Sequence, residues 1–503
     1  MVFMRDGVMS GKSAGAIVIG GGIGGLSCAI RLAAGGVPVK LLEKQPRVGG
    51  KLQRVELEGY HFDRGPSTIT MPDAFRAVFA SAGARLEDYC ELYELEPRTR
   101  NIFADGTIVD LSKDRVWMKE QIASYSTADA RRYDAFMREA TALYREADAR
   151  FLHKLLLGPR DKLNMGMLRG LLRVRPWLTL HKLLRRYFSH PHTLAMFGRY
   201  ATYVGSSPYQ SPSIFAMMAH LEGDLGVYGV RGGTSALVDG LEQLAMACGV
   251  EIMTGTEVER IVVINGKIQG VETTAGFYPS SLVIANGDVL SVNSRLLASS
   301  ERPSMSDASI AGYEPSLSGF VTLAGIPRQY ELLRHHTVFF PENYEQEFES
   351  IFVQKQPPVD PTIYICYSGY SEAGLAPPDG SNLFILTNAP YVSAHWNWEQ
   401  EAEAYRARLL RRLAACGIDG LEHADVLLSY TPEQLAADTY AHRGAIYGIS
   451  SNSVRQTFAR PGNRSRDVEG LWYVGGTTHP GGGTPIVALS GQLVAERILQ
   501  ERT

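Results

Sequence analysis

Cysteine is scarce in this chain of 503 residues: Cys28, Cys90, Cys248, Cys366 and Cys416 are odd in number and scattered. They form neither CxxC pairs nor an evenly spaced framework, which excludes a disulfide scaffold and suits a reducing compartment. Charge of one sign is lacking too, because 50 Lys and Arg stand against 53 Asp and Glu. With no zinc-finger spacing and no aromatic RNP-like run, nucleic acid is not expected as a partner. No uninterrupted apolar run reaches eighteen residues, and the opening MVFMRDGVMSGKSAG has no apolar signal core. The expectation is a cytoplasmic protein that nowhere spans a bilayer. Neither a G-x-S-x-G element nor a His/Cys/Asp cluster is visible, so no nucleophile elbow and no metal is expected. Internal repeats and long low-complexity linkers are also missing. What is present, 45% hydrophobic residues, is enough for two or three interlocked domains.

The first chemical motif comes early. Residues 16–19 (AIVI) read as a short buried strand, followed by a run of glycines and the helical pattern LSCAIRLAAGG. Gly20, Gly22 and Gly25 fill G-x-G-x-x-G, which serves a tight turn, close approach of a pyrophosphate to backbone, and helix–strand packing. The helix N-terminus then faces the phosphates with its partial positive charge. A second strand, VPVKLLEK, carries Glu43 with Lys44 beside it, about twenty residues on, where an acid takes a ribose hydroxyl. NAD and FAD share this fingerprint.

Further strands and turns follow at a distance. Arg231, Gly232 and Gly233 lead into a helix with Thr234 or Ser235 as N-cap candidate and Gly249 as its C-terminal glycine. VEIMTG and EVERIVVINGKIQGVET read as strands with a hairpin turn at Asn265-Gly266, and LVIANGD reaches Asn286 and Asp288. Near the C-terminus, LWYV reads as a buried strand, GGTTHPGGGTP as a bare loop, and the segment from Pro485 as a helix with proline in its first turn. That repeats the N-terminal arrangement. A flat ring needs close backbone and a positive helix end nearby, so Gly475, Gly476, Pro485, Ile486 and Val487 are cofactor-binding candidates. His479 is the loop's single titratable group and the candidate catalytic residue.

Arg47, Gly49, Gly50 and Lys51 resemble the RxGG[RK] element of flavin-containing amine oxidases and carotenoid desaturases. Together with FDRGPSTITMP (residues 62–72), the RGG helix, RGAIYG (443–448) and GGTTHPGGGTP, they make the whole chain resemble the phytoene desaturase type of carotenoid oxidoreductase, a monotopic FAD-dependent family. Within it, YVGSSPYQSP (203–212), VDPTIYICY (359–367), HRGAIYG and GGGTPIVALSGQ are similar to bacterial oxygenases of thirty-carbon carotenoids. The resemblance implies FAD, with Arg47, Gly50 and Lys51 by the diphosphate, Gly65, Pro66 and Ser67 beside the flavin, and Val258 near the adenine. It implies oxidation of a terminal methyl group of diaponeurosporene or diapolycopene to an aldehyde, with oxygen or a quinone accepting the electrons. Desaturation of diapophytoene or phytoene is the alternative, and an amine-oxidase-like reaction the more distant one. The chemistry would belong to the flavin, since a hydrocarbon offers no carbonyl or acidic proton.

Burying a thirty-carbon polyene is worth on the order of 20 kcal/mol at about 0.8 per carbon, so it must pass from a membrane through an apolar passage. Between Lys154 and Arg199 stand ten Lys and Arg against the single acid Asp161, a local charge of +9. Leu155, Leu156, Leu157, Met165, Met167, Leu168, Leu171, Leu172, Trp177, Leu178, Leu183, Leu184, Tyr187 and Phe188 interleave with them. This basic amphipathic pattern predicts peripheral attachment to the inner face of the cell membrane.

The expected fold is α/β. A discontinuous, doubly wound Rossmann-type FAD domain takes residues 14–70, 225–295 and 440–503; a helical, membrane-associating lid takes 71–224; a substrate-binding domain takes 296–439. The last should contain a sheet built from GFVTLAGI, TIYICYS and LFILTN.

Overall fold

The computed structural model describes residues 15–157, 170 and 173–502. Arg160, Asp161, Lys162, Met165, Met167, Leu168, Arg169, Leu171 and Leu172 of the basic stretch lie outside the described residues.

Five strands far apart in sequence form one parallel sheet, in the order Leu471–Tyr473, Leu282–Ala285, Ala16–Ile19, Val39–Leu42, Glu251–Met253. Their unbroken apolar runs reflect burial on both faces. Val18, Leu41, Ile284 and Trp472 pack with helices Ile23–Ala34, Ser235–Ala247 and Thr484–Arg502. Ile17, Leu42, Val283 and Tyr473 turn the other way, onto a three-stranded antiparallel sheet of Val258–Ile264, Lys267–Thr273 and Gly276–Pro279. Helix Val289–Leu296 adds Val289, Leu290 and Val292 to the same cluster. The turn at Asn265 and Gly266, both at positive φ, folds the chain back as a hairpin of the sheet that covers this face.

The first glycine helix packs against the C-terminal helix Thr484–Arg502, so the two ends of the chain are neighbours. Helix Ser235–Ala247 is capped differently from its sequence reading. Thr234 makes no side-chain cap; the carboxylate of Asp63 accepts instead from the backbone N–H of Thr234 at 2.5 Å and of Ser235 at 3.0 Å. An acidic oxygen pair satisfies two orphan donors at once and complements the helix dipole.

A seven-stranded mixed sheet makes the second layer, in the order Val426–Tyr430, Ser318–Ile326, Ser381–Ala389, Ile363–Tyr367, His336–Phe339, Thr99–Ile102, Ile108–Leu111. One face buries Phe320 and Ile385 against helix Trp398–Ala415. The other carries Val321, Phe384 and Leu386 toward the cavity described below. The region read as helical contributes Thr99–Ile102 and Ile108–Leu111 to this sheet, and Leu92–Glu94 pairs with Tyr228–Val230. The other described elements of that region are helices, with Phe136, Phe188 and Phe197 in their core.

Leu183, Leu184 and Phe188, read as an interfacial surface, are buried in the same core. Trp177, Lys182, Arg185 and Arg186 are exposed, whereas Arg199, counted among the surface bases, is buried. Among the described residues no helix is long and apolar enough to cross a membrane.

Candidate active site

The parallel strands end together at one edge of the sheet, and a cavity of about 630 Å³ opens there. Gly20 leaves the first strand at φ 94°, and Gly22 is the N-cap of helix Ile23–Ala34. A Cβ on Gly25 would strike the carbonyl oxygen of Gly20 and come within 3.0 Å of the Asn286 amide. Helix and strand can touch here only with glycine. Glu43 is buried at the end of the second strand, where its carboxylate accepts from the N–H of Gly21 at 2.7 Å and of Gln45 at 2.9 Å. It holds the glycine turn while lining the cavity.

Asn286 extends from the strand Leu282–Ala285 into the middle of these glycines, and its Nδ2 donates to Gly20 O at 3.2 Å. Its side chain occupies the space that Cβ atoms on Gly22, Gly24 and Gly475 would need, at 2.9, 2.7 and 2.9 Å. Gly475, at φ 105°, begins the C-terminal loop and donates to Ser490 Oγ at 3.2 Å. One side chain thus fits the front glycine turn to the tail loop. Asp288, two residues on, caps helix Val289–Leu296 through Oδ1. Its other oxygen is buried without a hydrogen-bond partner among the described residues.

Lys51 reaches across to the carbonyls of Ala445, at 3.2 Å, and Ile446. Burial pulls its ammonium down to about 8, with Asp288 opposing. Gly50, Gly65, Pro66 and Ser67 line the same stretch of wall, and Ser67 Oγ shares a 2.6 Å hydrogen bond with the hydroxyl of Tyr364. Val258 and Lys44 line the far end. Lys44 Nζ donates to Ala437 O at 2.7 Å and lies 3.3 Å from the centroid of the Tyr440 ring; burial lowers its pKa against the pull of Glu257, Asp438 and Glu43. Arg47 is exposed and lines a neighbouring recess of about 220 Å³ with Gln53 and Arg54; the recess shares Gln45, Gly50, Arg64 and Asp438 with the main cavity.

Gly476, Pro485, Ile486 and Val487 complete the tail side. His479 also lines the cavity, and its Nε2 lies 2.9 Å from Phe151 O and 2.7 Å from Lys154 O. Two carbonyls accept there, so Nε2 carries the proton and the ring ties the tail loop to residues 151–154. Arg460, which no sequence motif marked, is half-buried beside this loop and donates to Ser451 Oγ at 2.8 Å and to Gly476 O at 3.4 Å. Burial lowers its guanidinium to about 10. Beyond the glycines the walls turn apolar, with Phe151, Leu152, Phe215, Met217, Met218 and Leu221 on the helical side.

The fit to a flavin dinucleotide is testable on these groups. The cradle that Cβ atoms would fill leaves backbone open to a flat ring and a diphosphate. The Asp288 oxygen that has no partner among the described residues is a buried acceptor suited to a hydroxyl donor, and Lys51 and Arg460 supply positive charge. The residues fit. The flavin containing amine oxidoreductase family matches residues 23–499. A 4,4'-diapolycopene oxygenase of Methylomonas sp is 33% identical over 489 residues, spanning 96% of this chain and 98% of that relative. A 4,4'-diaponeurosporene oxygenase of Staphylococcus haemolyticus is 33% identical, with 96% of each chain covered. Among solved structures, an oxidoreductase of Methanosarcina mazei superposes with a TM-score of 0.63 at 16% identity, over 96% of this chain and 99% of that one. Cyclohexylamine oxidase of Brevibacterium oxydans gives 0.61 at 13%, over 98% and 100%; both share the fold. From a match that runs nearly end to end, this chain belongs to the flavin-containing amine oxidoreductase family and is an oxidoreductase with FAD as its cofactor.

Proposed function

We propose that the protein oxidises the terminal methyl group of a thirty-carbon carotenoid, diaponeurosporene or diapolycopene, to an aldehyde. The observation that carries this reading is the continuity of the glycine cradle with an apolar-walled cavity. The two full-length relatives named as oxygenases of such pigments support it. An amine is the poorer substrate, because the buried charge beside the apolar walls is the cation Arg199.

When bound, FAD supplies the two-electron redox chemistry that no side chain here provides. Gly20, Gly22, Gly25 and the helix behind them would hold its diphosphate, with Gly50 and Lys51 alongside. Glu43 would take the ribose and Val258 the adenine end, with Lys44 near them. Gly65, Pro66, Ser67, Gly475, Gly476, Pro485, Ile486 and Val487 would flank the ring. Phe215, Met218 and Leu221 exclude water and align the polyene. His479 acts by position, keeping residues 151–154 against the tail loop. Residues 14–70, 225–295 and 440–503 serve the cofactor in this reading, 71–224 form the lid and 296–439 the substrate floor. Exposed Trp177, Lys182, Arg185 and Arg186 suit attachment to an anionic membrane surface on the cytoplasmic side. Oxygen or a quinone would reoxidise the flavin.

The test is expression in cells that make diaponeurosporene or diapolycopene under heavy-isotope dioxygen, followed by pigment mass. Gain of one oxygen and loss of two hydrogens at an oxidised end is the expected product. Loss of two hydrogens alone would turn the assignment to desaturation.

A further inference from the structure

The apolar cavity contains a cation that a hydrocarbon does not need. Arg199 begins the short helical segment Arg199–Val204 and lines the cavity while only 7% exposed. Its Nη1 donates to the Tyr203 hydroxyl at 3.3 Å, and its guanidinium lies 5.2 Å from that ring's centroid. Nε and Nη2 are buried with no hydrogen-bond partner among the described residues. Arg98, which like Arg199 acts electrostatically on Tyr200, is also buried, with two nitrogens unpartnered among the described residues.

Glu222 attracts the Arg199 charge through space, but it gives Nε and Nη2 no acceptor among the described residues. Glu222 is the buried carboxylate of the cluster, and it is engaged by Tyr200 at 3.1 Å and Tyr203 at 2.5 Å. Its hydrogen bonds thus go to the tyrosines, and it acts on Arg199 through space. Burial holds Tyr200, Tyr203 and Tyr447 in their neutral forms and pushes His336 well below the ordinary imidazole range. What remains at the cavity wall is a buried guanidinium with two N–H-bearing nitrogens that no described residue accepts from. Such a group is costly to bury without an acceptor.

We propose that Arg199, assisted by Tyr203, recognises an oxygen-bearing end of the polyene: the cavity takes a conjugated chain whose terminal carbon carries a carbonyl or carboxylate oxygen, and the guanidinium donates to that oxygen. The proposal rests on the polyene reading of the cavity. It adds that the ligand is not a pure hydrocarbon throughout its stay, since an end that has gained oxygen satisfies the donors that a methyl end leaves unpaired.

The test uses FAD-loaded protein and three probes of equal length: all-trans-retinal, all-trans-retinoate and the matching hydrocarbon axerophtene, with binding read by tryptophan fluorescence quenching. A charge-assisted hydrogen bond predicts that at least one oxygenated probe binds about tenfold or more tighter than the hydrocarbon. Retinoate ahead of retinal identifies a carboxylate as the ligand; retinal equal or ahead identifies a carbonyl. In Arg199→Met the preference should fall toward unity while axerophtene affinity stays, with flavin absorbance confirming the fold. Arg199→Lys keeps the charge without the planar fork and should lower the preference at least about threefold; this variant decides if the methionine form fails to hold FAD. A preference unchanged in both variants overturns the proposal, as does a wild type that binds all three equally. Failure of every probe to bind instead removes the polyene reading beneath it.

Discussion

The side-chain amide of Asn286 donates to the carbonyl oxygen of Gly20 across 3.2 Å. That bond joins the front glycine turn to the strand that runs beside it, and the same side chain abuts Gly475 of the tail loop. Asn286→Ala removes the donor and leaves a hollow that three loops share. A lost hydrogen bond plus slack in the cradle should weaken FAD binding about tenfold. Flavin absorbance per protein after desalting measures it. Asn286→Leu, bulkier and with no donor, should retain less flavin than the alanine form.

Glu43 makes a second prediction with a different sign of control. Its two oxygens answer Gly21 N–H and Gln45 N–H, and removing them leaves buried donors unsatisfied at about 1–3 kcal/mol each. Glu43→Ala should therefore lower both FAD affinity, by about tenfold or more, and the thermal midpoint of the flavin-free protein. Glu43→Gln keeps one acceptor oxygen and should fall between. Isothermal titration with FAD and thermal unfolding check the pair.

Why some of this was readable from the chain and some was not follows from range. Gly20, Gly22 and Gly25 act on one another within six residues, so their spacing alone marked the turn. The buried strand at 471–473 and the hairpin at Asn265 and Gly266 were local as well. Asn286 works through space on residues from both ends of the chain, and no local pattern signals that. Asp63 caps a helix that begins at Ser235, again beyond any window. Thr99–Ile102, with the sequence TRNI, is too short and polar to read as a strand. It is one because it pairs with Ile108–Leu111 and His336–Phe339 and buries Asn101. Arg199 looked like one more surface base, because a linear count of charge carries no information about burial.

Lys51 gives the protein a pH signature. Burial lowers its folded pKa to about 8, below the roughly 10.4 of an open chain. Between those values the unfolded chain binds more protons than the folded one, so this group makes stability rise with pH from about 8 to about 10.4. Below that window its folded-state penalty is fully present. Lys51→Met should flatten the rise in flavin-free protein. Urea midpoints at about pH 7.5 and about pH 10 for both forms isolate the effect, since other groups titrating there are common to the two.

The apolar wall can be separated from the cradle by one substitution. Met218 is half-buried and lines the cavity on its helical side, whereas the glycines, Glu43 and Asn286 belong to the parallel-sheet edge. Met218→Glu places a carboxylate where a polyene would lie. Desolvating that charge under a hydrocarbon costs several kcal/mol, so pigment oxidation should drop by about a hundredfold or more. Flavin content should be unchanged, because no FAD-holding group has moved. Met218→Leu, similar in volume and apolar, should keep most of the activity, at a cost below about 1.5 kcal/mol. If Met218→Glu turned over pigment at the wild-type rate with full flavin, the polyene would have to lie elsewhere, and the cavity's walls would lose their assigned role.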